Sequence, residues 1–481
     1  MSTTRRQFLQ TGAAATVLAA SGRTEAGLAA AAQPNVVVIV IDTLRADYAF
    51  SGRIHTPNID ALRRAGVTFT NVFPEAMPTV PARNSILSGK RDFPFRGWYD
   101  RRGLIDQPGW EPVDDVGSTF TSALRRAGYW TGYATDNPFV GFSAPYEPLR
   151  RSFDRFAATG GQLGVGLPPS SVSDRELRHW IHPAIDDSAV RRRVRKYLAN
   201  GHYSHDESAS FAARVFRDGI DMVEGAPAGK PFAVVIDTFQ PHEPWTPPRR
   251  YLDMYARSRW GREPSFPLYT SASSYLSNGE RAAVLNRMRA LYAAELTMTD
   301  HWLGVFLDRL RKLGQYESTA FVLVGDHGIY LGDHGWTGKI STDLHPALIQ
   351  VPLIVVDPRR RRAGRESGWF ASTHDVGPPV LSMAGVPAPR PMTGADLSRV
   401  FRGKSLPSRP YAFGGYRDNF FIRSDRWALT GTNRPSDLKL YDRTRDRAEQ
   451  RNLAGHHPGK ARELHAEVVR RAGGRLPFYD D

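Results

Sequence analysis

The sequence predicts an α/β fold: a mostly parallel central sheet flanked by helices on both faces, with a small C-terminal α+β subdomain carrying an antiparallel sheet. Three observations predict it. Asn35 to Ile41 (NVVVIVI) is an unbroken β-branched run, which marks a strand buried on both faces and therefore central. Apolar runs near 129–135, 231–237, 319–325 and 351–356 alternate with helical stretches, and that alternation builds parallel sheets. After about Gly385 the pattern changes, and 411–430 shows the aromatic alternation of antiparallel strands.

The N-terminus stands outside this fold. Residues 1–32 hold a twin arginine (Arg5-Arg6), a short mildly apolar core and a small-residue zone ending near Ala32. This is the pattern of a signal for twin-arginine export, and it places the protein in the periplasm, at the cell surface or outside the cell. The catalytic domain is then 33–385 and the C-terminal subdomain 386–481.

Asp42 closes the first strand, and Thr56-Pro57 opens a helix to about Ala65. Met77 to Lys90 (MPTVPARNSILSGK) follows, with Thr79 at a helix start, Pro81 in the first turn and Arg83 one turn on. A helix near 116–127 precedes the strand at 129–135. The Pro-, Gly- and Arg-rich stretch 139–204 reads as an irregular insertion. A helix near 205–224 leads to the strand ending at Asp237, and 252–277 is loop-like and aromatic. A long helix over 279–313 leads to the strand 319–325, with Asp326-His327-Gly328 directly after it.

The chain has 481 residues, a net charge of +15 and no cysteine. Thiol nucleophiles, thiolate ligands and disulfides are excluded. No apolar run is long enough to cross a membrane. The positive charge suits an anionic small-molecule, lipid or polymer substrate. Nucleic acid is not indicated, because phosphate loops, aromatic-basic RNA signatures and zinc-finger spacings are all missing.

In open α/β sheets ligands bind beyond the carboxyl ends of the strands. Asp42, Asp237 with His242, and Asp326 with His327 all fall there. Asp42, Asp326 and His327 are a hard or borderline ligand set for one divalent ion (Ca, Mg, Mn or Zn). Such an ion makes Thr79 a usable nucleophile and a further ligand. Arg83 offers a donor fork for an oxyanion, while His242 and Lys339 are placed to protonate a leaving group or neutralise charge on it. Asp237 and His374 are candidates for a second ion, though a lysine at Lys339 would repel one. His334, in LGDHG, is a candidate for substrate contact.

Over nearly its whole mature length the chain resembles the sulfatase family of the alkaline-phosphatase superfamily. The matching stretches include NVVVIVIDTLRAD, PTVPARNSILSG, FQPHEPW, VGDHGIYLGDHG, GWTGK and LYDRTRDRAEQRNL. The resemblance implies metal ligands at Asp42, Asp326 and His327, and a catalytic histidine and lysine at His242 and Lys339. Two departures matter. Thr43 stands where sulfatases often carry a second aspartate. Thr79 stands where the family's Cys/Ser-x-Pro-x-Arg motif has the residue oxidised to formylglycine, so no formylglycine forms here. A threonine sulfate ester lacks the aldehyde-forming exit that a formylglycine hydrate has. A phosphothreonine can be resolved by in-line attack of water. The expected reaction is therefore hydrolysis of phosphoric mono- or diesters. Sulfuric ester hydrolysis and phosphoryl transfer to an alcohol are the alternatives.

Overall fold

The computed structural model describes residues 33–96, 107–162, 171–201, 206–434 and 437–479. The export signal lies outside them. The strands are β1 (Asn35–Ile41), β2 (Val67–Phe69), β3 (Ala76–Met77), β4 (Trp130–Thr135), β5 (Arg155–Ala158), β6 (Phe232–Thr238) and β7 (Thr319–Gly325). They continue with β8 (Tyr330–Leu331), β9 (Thr337–Gly338), β10 (Leu353–Val356), β11 (Arg365–Ser367), β12 (Ala412–Tyr416), β13 (Asn419–Arg423), β14 (Trp427–Thr432) and β15 (Lys439–Asp442).

The main sheet has eight strands in the order β11-β2-β10-β7-β1-β6-β4-β5. β1 is central and pairs parallel with both β6 and β7. Its odd and even residues feed different cores. Val37, Ile39 and Ile41 pack on one face with the helices Phe211–Glu224 and Arg281–Lys312. Val36, Val38 and Val40 pack on the other with Phe120–Arg126 and Gly377–Ala384. Each buried aliphatic side chain contributes about 1.5–3 kcal/mol, and this two-sided burial explains why β1 shows no alternation in sequence.

The edges depart from the sequence reading. β10 is buried as expected but runs antiparallel to β7 and β2. The stretch 139–204 is not irregular throughout. It supplies β5, the edge strand beside β4, and the helices Asp174–His179 and Ser188–Asn200. The second of these hides behind its charges: Val190, Val194, Tyr197 and Leu198 face inward at helical spacing, while the arginines between them remain at least partly exposed.

The second sheet runs β15-β14-β13-β12-β3. Its C-terminal strands are antiparallel, but β3 joins from far upstream, parallel to β12, with Ala76 beside Gly415 and Met77 beside Tyr416. Two residues after β3 comes Thr79.

Candidate active site

Strand register assembles the site. β1 and β7 place Ile41 beside Gly325, so Asp42 and Asp326 leave the sheet side by side. On the other flank β6 places Asp237 beside Val40. Asp42, Asp326 and His327 are fully buried, and one ligand atom from each lies within 4.8 Å of the others. Both Asp42 oxygens lack a hydrogen-bond partner, although Arg83 Nη1 approaches Oδ2 at 3.2 Å. Buried carboxylate oxygens left this way are costly unless a cation meets them. That orphaned carboxylate is the feature that fits a divalent ion to this group.

His327 is prepared as a ligand. Its Nδ1 lies 2.8 Å from the Gly328 carbonyl, which can only accept, so Nδ1 carries the proton and Nε2 keeps its lone pair. Nε2 lies 3.5 Å from Asp326 Oδ2 and 3.8 Å from Asp42 Oδ1. Burial lowers the pKa of His327, which favours the neutral ligand form. Gly328 is required by space: a Cβ there would sit 2.1 Å from the Ala347 carbonyl oxygen.

The two carboxylates differ. Burial pushes Asp42 well above the usual carboxylate range, and the neighbouring Asp326 adds to this. Burial also opposes charge on Asp326, but His327 and Arg83 hold it down at about 2. Two carboxylates this close resist ionising together without a cation. Thr43, directly after Asp42, donates its N–H to Asp326 Oδ1 at 3.0 Å. It does so at φ 55, a conformation that is strained for a β-branched residue, and its buried Oγ1 has no partner.

Thr79 begins the helix Thr79–Ser88, is 3% exposed, and holds its Oγ1 3.4 Å from His327 Nε2. Arg83, one turn on, differs from its expected role as an oxyanion fork. Its Nε lies 3.1 and 3.0 Å from the two Asp237 oxygens, and Nη2 donates to Asp237 at 2.7 Å. Nη1 donates to Asp326 at 2.6 Å and to the Thr79 carbonyl at 3.0 Å. Three buried carboxylates at strand ends need a counter-charge, and Arg83 supplies it. It braces Thr79 and Asp326 from beneath.

A second group lies on the loop after β6 and just after β9. Lys339 Nζ donates to His242 Nε2 at 2.5 Å and lies 3.3 Å from Glu243 Oε1. His242 Nδ1 is 2.6 Å from the Glu243 carbonyl, so it carries the proton and leaves Nε2 free to accept. Tyr269 donates to the same Glu243 carboxylate. Burial pushes His242 down to about 3, so it is neutral at ordinary pH. Glu243 is held at about 2: burial opposes its charge, while His242, Lys339 and the Tyr269 hydroxyl favour it.

A model of the sulfatase family matches residues 34–386. The chain belongs to the sulfatase family. An arylsulfatase of Clostridium perfringens is 23% identical over 482 residues, covering 93% of this chain and 96% of that protein. The multifunctional alkaline phosphatase superfamily protein PehA of Trinickia caryophylli is 26% identical over 416 residues, covering 76% of each. The structure of a phosphonate monoester hydrolase from Silicibacter pomeroyi superposes with a TM-score of 0.70 at 22% identity, over 92% of this chain and 96% of that one. The protein is accordingly a hydrolase of the alkaline phosphatase and sulfatase superfamily.

Within this sulfatase-family frame the remaining candidates sit apart from the Asp-Asp-His group. Asp237 is filled by Arg83, Tyr133 and Thr135. His374 lies 3.6 Å from Asp375, beside Arg91 and Arg409. His334 stacks on His345 with ring centroids 3.5 Å apart. Neither Asp237 nor His374 belongs to the one possible metal group found among the described residues.

Sequence reasoning missed Glu243 and Tyr269. Glu243 was discoverable as the charged residue beside His242 in HEPW, but no spacing rule points to Tyr269. The Arg45–Asp333 pair was missed too. At 2.7 Å it ties the residues just after Asp42 to the loop after β8.

His374 gives a pH prediction. Burial holds it at about 3, against about 6.5 for an exposed histidine. Its stabilising contribution is therefore present above about pH 6.5 and is lost as pH falls toward 3. Wild-type Tm should fall more steeply over that window than that of His374→Gln. Parallel Tm curves would count against a buried neutral His374.

Proposed function

We propose that this sulfatase-family hydrolase cleaves phosphoric mono- or diesters, with Thr79 as nucleophile. The observation that supports this most directly is a threonine hydroxyl, 3.4 Å from His327 Nε2, at the mouth of the Asp42–Asp326–His327 group. Those three side chains would hold one divalent ion, with Thr79 beside them. When bound, such an ion favours the ionised form of a nearby hydroxyl and offsets charge on a transferring phosphoryl group.

The chain's own residues then divide the work. Arg83 fixes the turn that presents Thr79. Thr79 Oγ1 forms a bond to phosphorus as the bond to the ester oxygen breaks. Lys339, held by His242 and Glu243, meets the charge on the departing oxygen or protonates it. Water then attacks the phosphorus and the bond to Thr79 Oγ1 breaks, releasing phosphate from a monoester substrate or a phosphate monoester from a diester. A threonine carries a single hydroxyl at that carbon and has no aldehyde to collapse to, which favours phosphorus over sulfur as the atom attacked. Among relatives, PehA is named as multifunctional within the phosphatase superfamily, whereas the Clostridium perfringens protein is named an arylsulfatase. Export by the twin-arginine route is proposed from Arg5-Arg6, the short apolar core after them and the small-residue zone ending near Ala32.

Purified protein loaded with Mn, Zn or Ca should hydrolyse aryl phosphate mono- or diesters faster than the matching aryl sulfate. A faster aryl sulfate reaction would sink the reading.

A further inference from the structure

A cavity of about 500 Å³ opens between the main sheet and the C-terminal sheet, lined by Thr70, Asn71, Gln350, Arg423, Arg443 and Arg447, with Asp425 at its rim. It shares no residue with the candidate active site. Its volume is in the range of small-molecule sites. Its three arginines come from features the reaction does not use: Arg443 and Arg447 belong to the stretch after β15, and Arg423 ends β13.

Arg423 is 2% exposed. Glu449 engages its Nη2, but its buried Nε has no hydrogen-bond partner. Arg443 donates to the Ser424 carbonyl and to Asn71 Oδ1. The Arg423 and Arg443 guanidinium carbons lie 4.9 and 5.7 Å from the centre of one ring, Phe73. Two cations thus crowd one apolar surface. Burial and the neighbouring Arg443 push the Arg423 pKa well below its ordinary value. Asp425 relieves Arg443 in part, but it is exposed and leaves the Arg423 Nε unmet. Guanidiniums converging from β13 and from the stretch after β15 around an unsatisfied donor suit a group with several acceptor oxygens.

We propose that this cavity is an oxyanion-binding site, separate from the active site, for a small molecule bearing a phosphate, sulfate or carboxylate. Arg423 Nε is its buried donor, and Arg443 and Arg447 complete the charge. Binding would tie the C-terminal sheet to the loop after β2.

Crystals of the full chain soaked in tungstate, a heavy mimic of phosphate and sulfate, test the location. An anomalous peak between Arg423 and Arg443 is expected. Its absence, with tungstate found only near Thr79, would overturn the proposal. Titration calorimetry with inorganic phosphate and sulfate on the chelator-treated protein tests the residues. Exposed Arg447→Gln should weaken binding by about 3- to 10-fold, and Arg443→Gln by at least about tenfold. Arg447→Gln should leave turnover of aryl phosphates unchanged. Unaltered affinity in a folded Arg447→Gln protein would reject the site even if Arg443→Gln failed to fold.

Discussion

Thr79→Ala should lower kcat for aryl phosphates by at least about 10³-fold, while Tm and metal content stay near the wild-type values. The side chain is small, and its Oγ1 makes one long contact, to His327 Nε2 at 3.4 Å. Removing it therefore deletes chemistry more than packing. Thr79→Ser keeps the hydroxyl and should retain most of the rate. The diagnostic species is a phosphoenzyme: acid-quenched wild-type protein should carry covalent phosphate on Thr79 during turnover, and Thr79→Ala should carry none. Full activity in Thr79→Ala would remove the nucleophile from the mechanism altogether.

Arg83→Met should be the most destabilising single change at the site. The guanidinium is 1% exposed and lies within ion-pair distance of Asp42, Asp237 and Asp326. Its loss strands buried carboxylates, a change worth about 3–5 kcal/mol. Denaturant unfolding in chelator should show that loss, and excess divalent ion should restore part of it, because the ion brings positive charge to Asp42 and Asp326. Arg83→Lys should rescue little, since one ammonium cannot span the fork from Asp237 to Asp326. An Arg83→Met protein as stable as wild type in chelator would mean that the carboxylates are protonated or solvated.

What could be read from sequence followed from where chemistry meets periodicity. β1 and β7 are continuous apolar runs, so their ends were visible, and the acids one residue beyond those ends were visible with them. Parallel register then did what sequence could not do alone, setting Asp42 against Asp326. Arg83 was legible as important but not in its role, because the decision between substrate and carboxylates depends on three side chains converging in space. Glu243 and Tyr269 were missed because their roles come from a contact across 26 positions. β5 was missed because a short edge strand in a Gly- and Pro-rich region has little alternation to show. His374 was offered for a second ion because such sites take aspartate and histidine; it lies 3.6 Å from Asp375 and outside the Asp42–Asp326–His327 group.

The parallel pairing of β3 with β12 bears on how the site is assembled during synthesis. The two residues that lead into Thr79 are hydrogen-bonded to a strand that begins at Ala412. A ribosome adds about 5–20 residues per second, so the partner of β3 emerges many seconds after β1 and the threonine have been made. Until then the nascent chain has Thr79 but not the strand that pairs with Ala76 and Met77 before it. The segment that leads into Thr79 therefore gains its strand partner only once the chain has been made through β12.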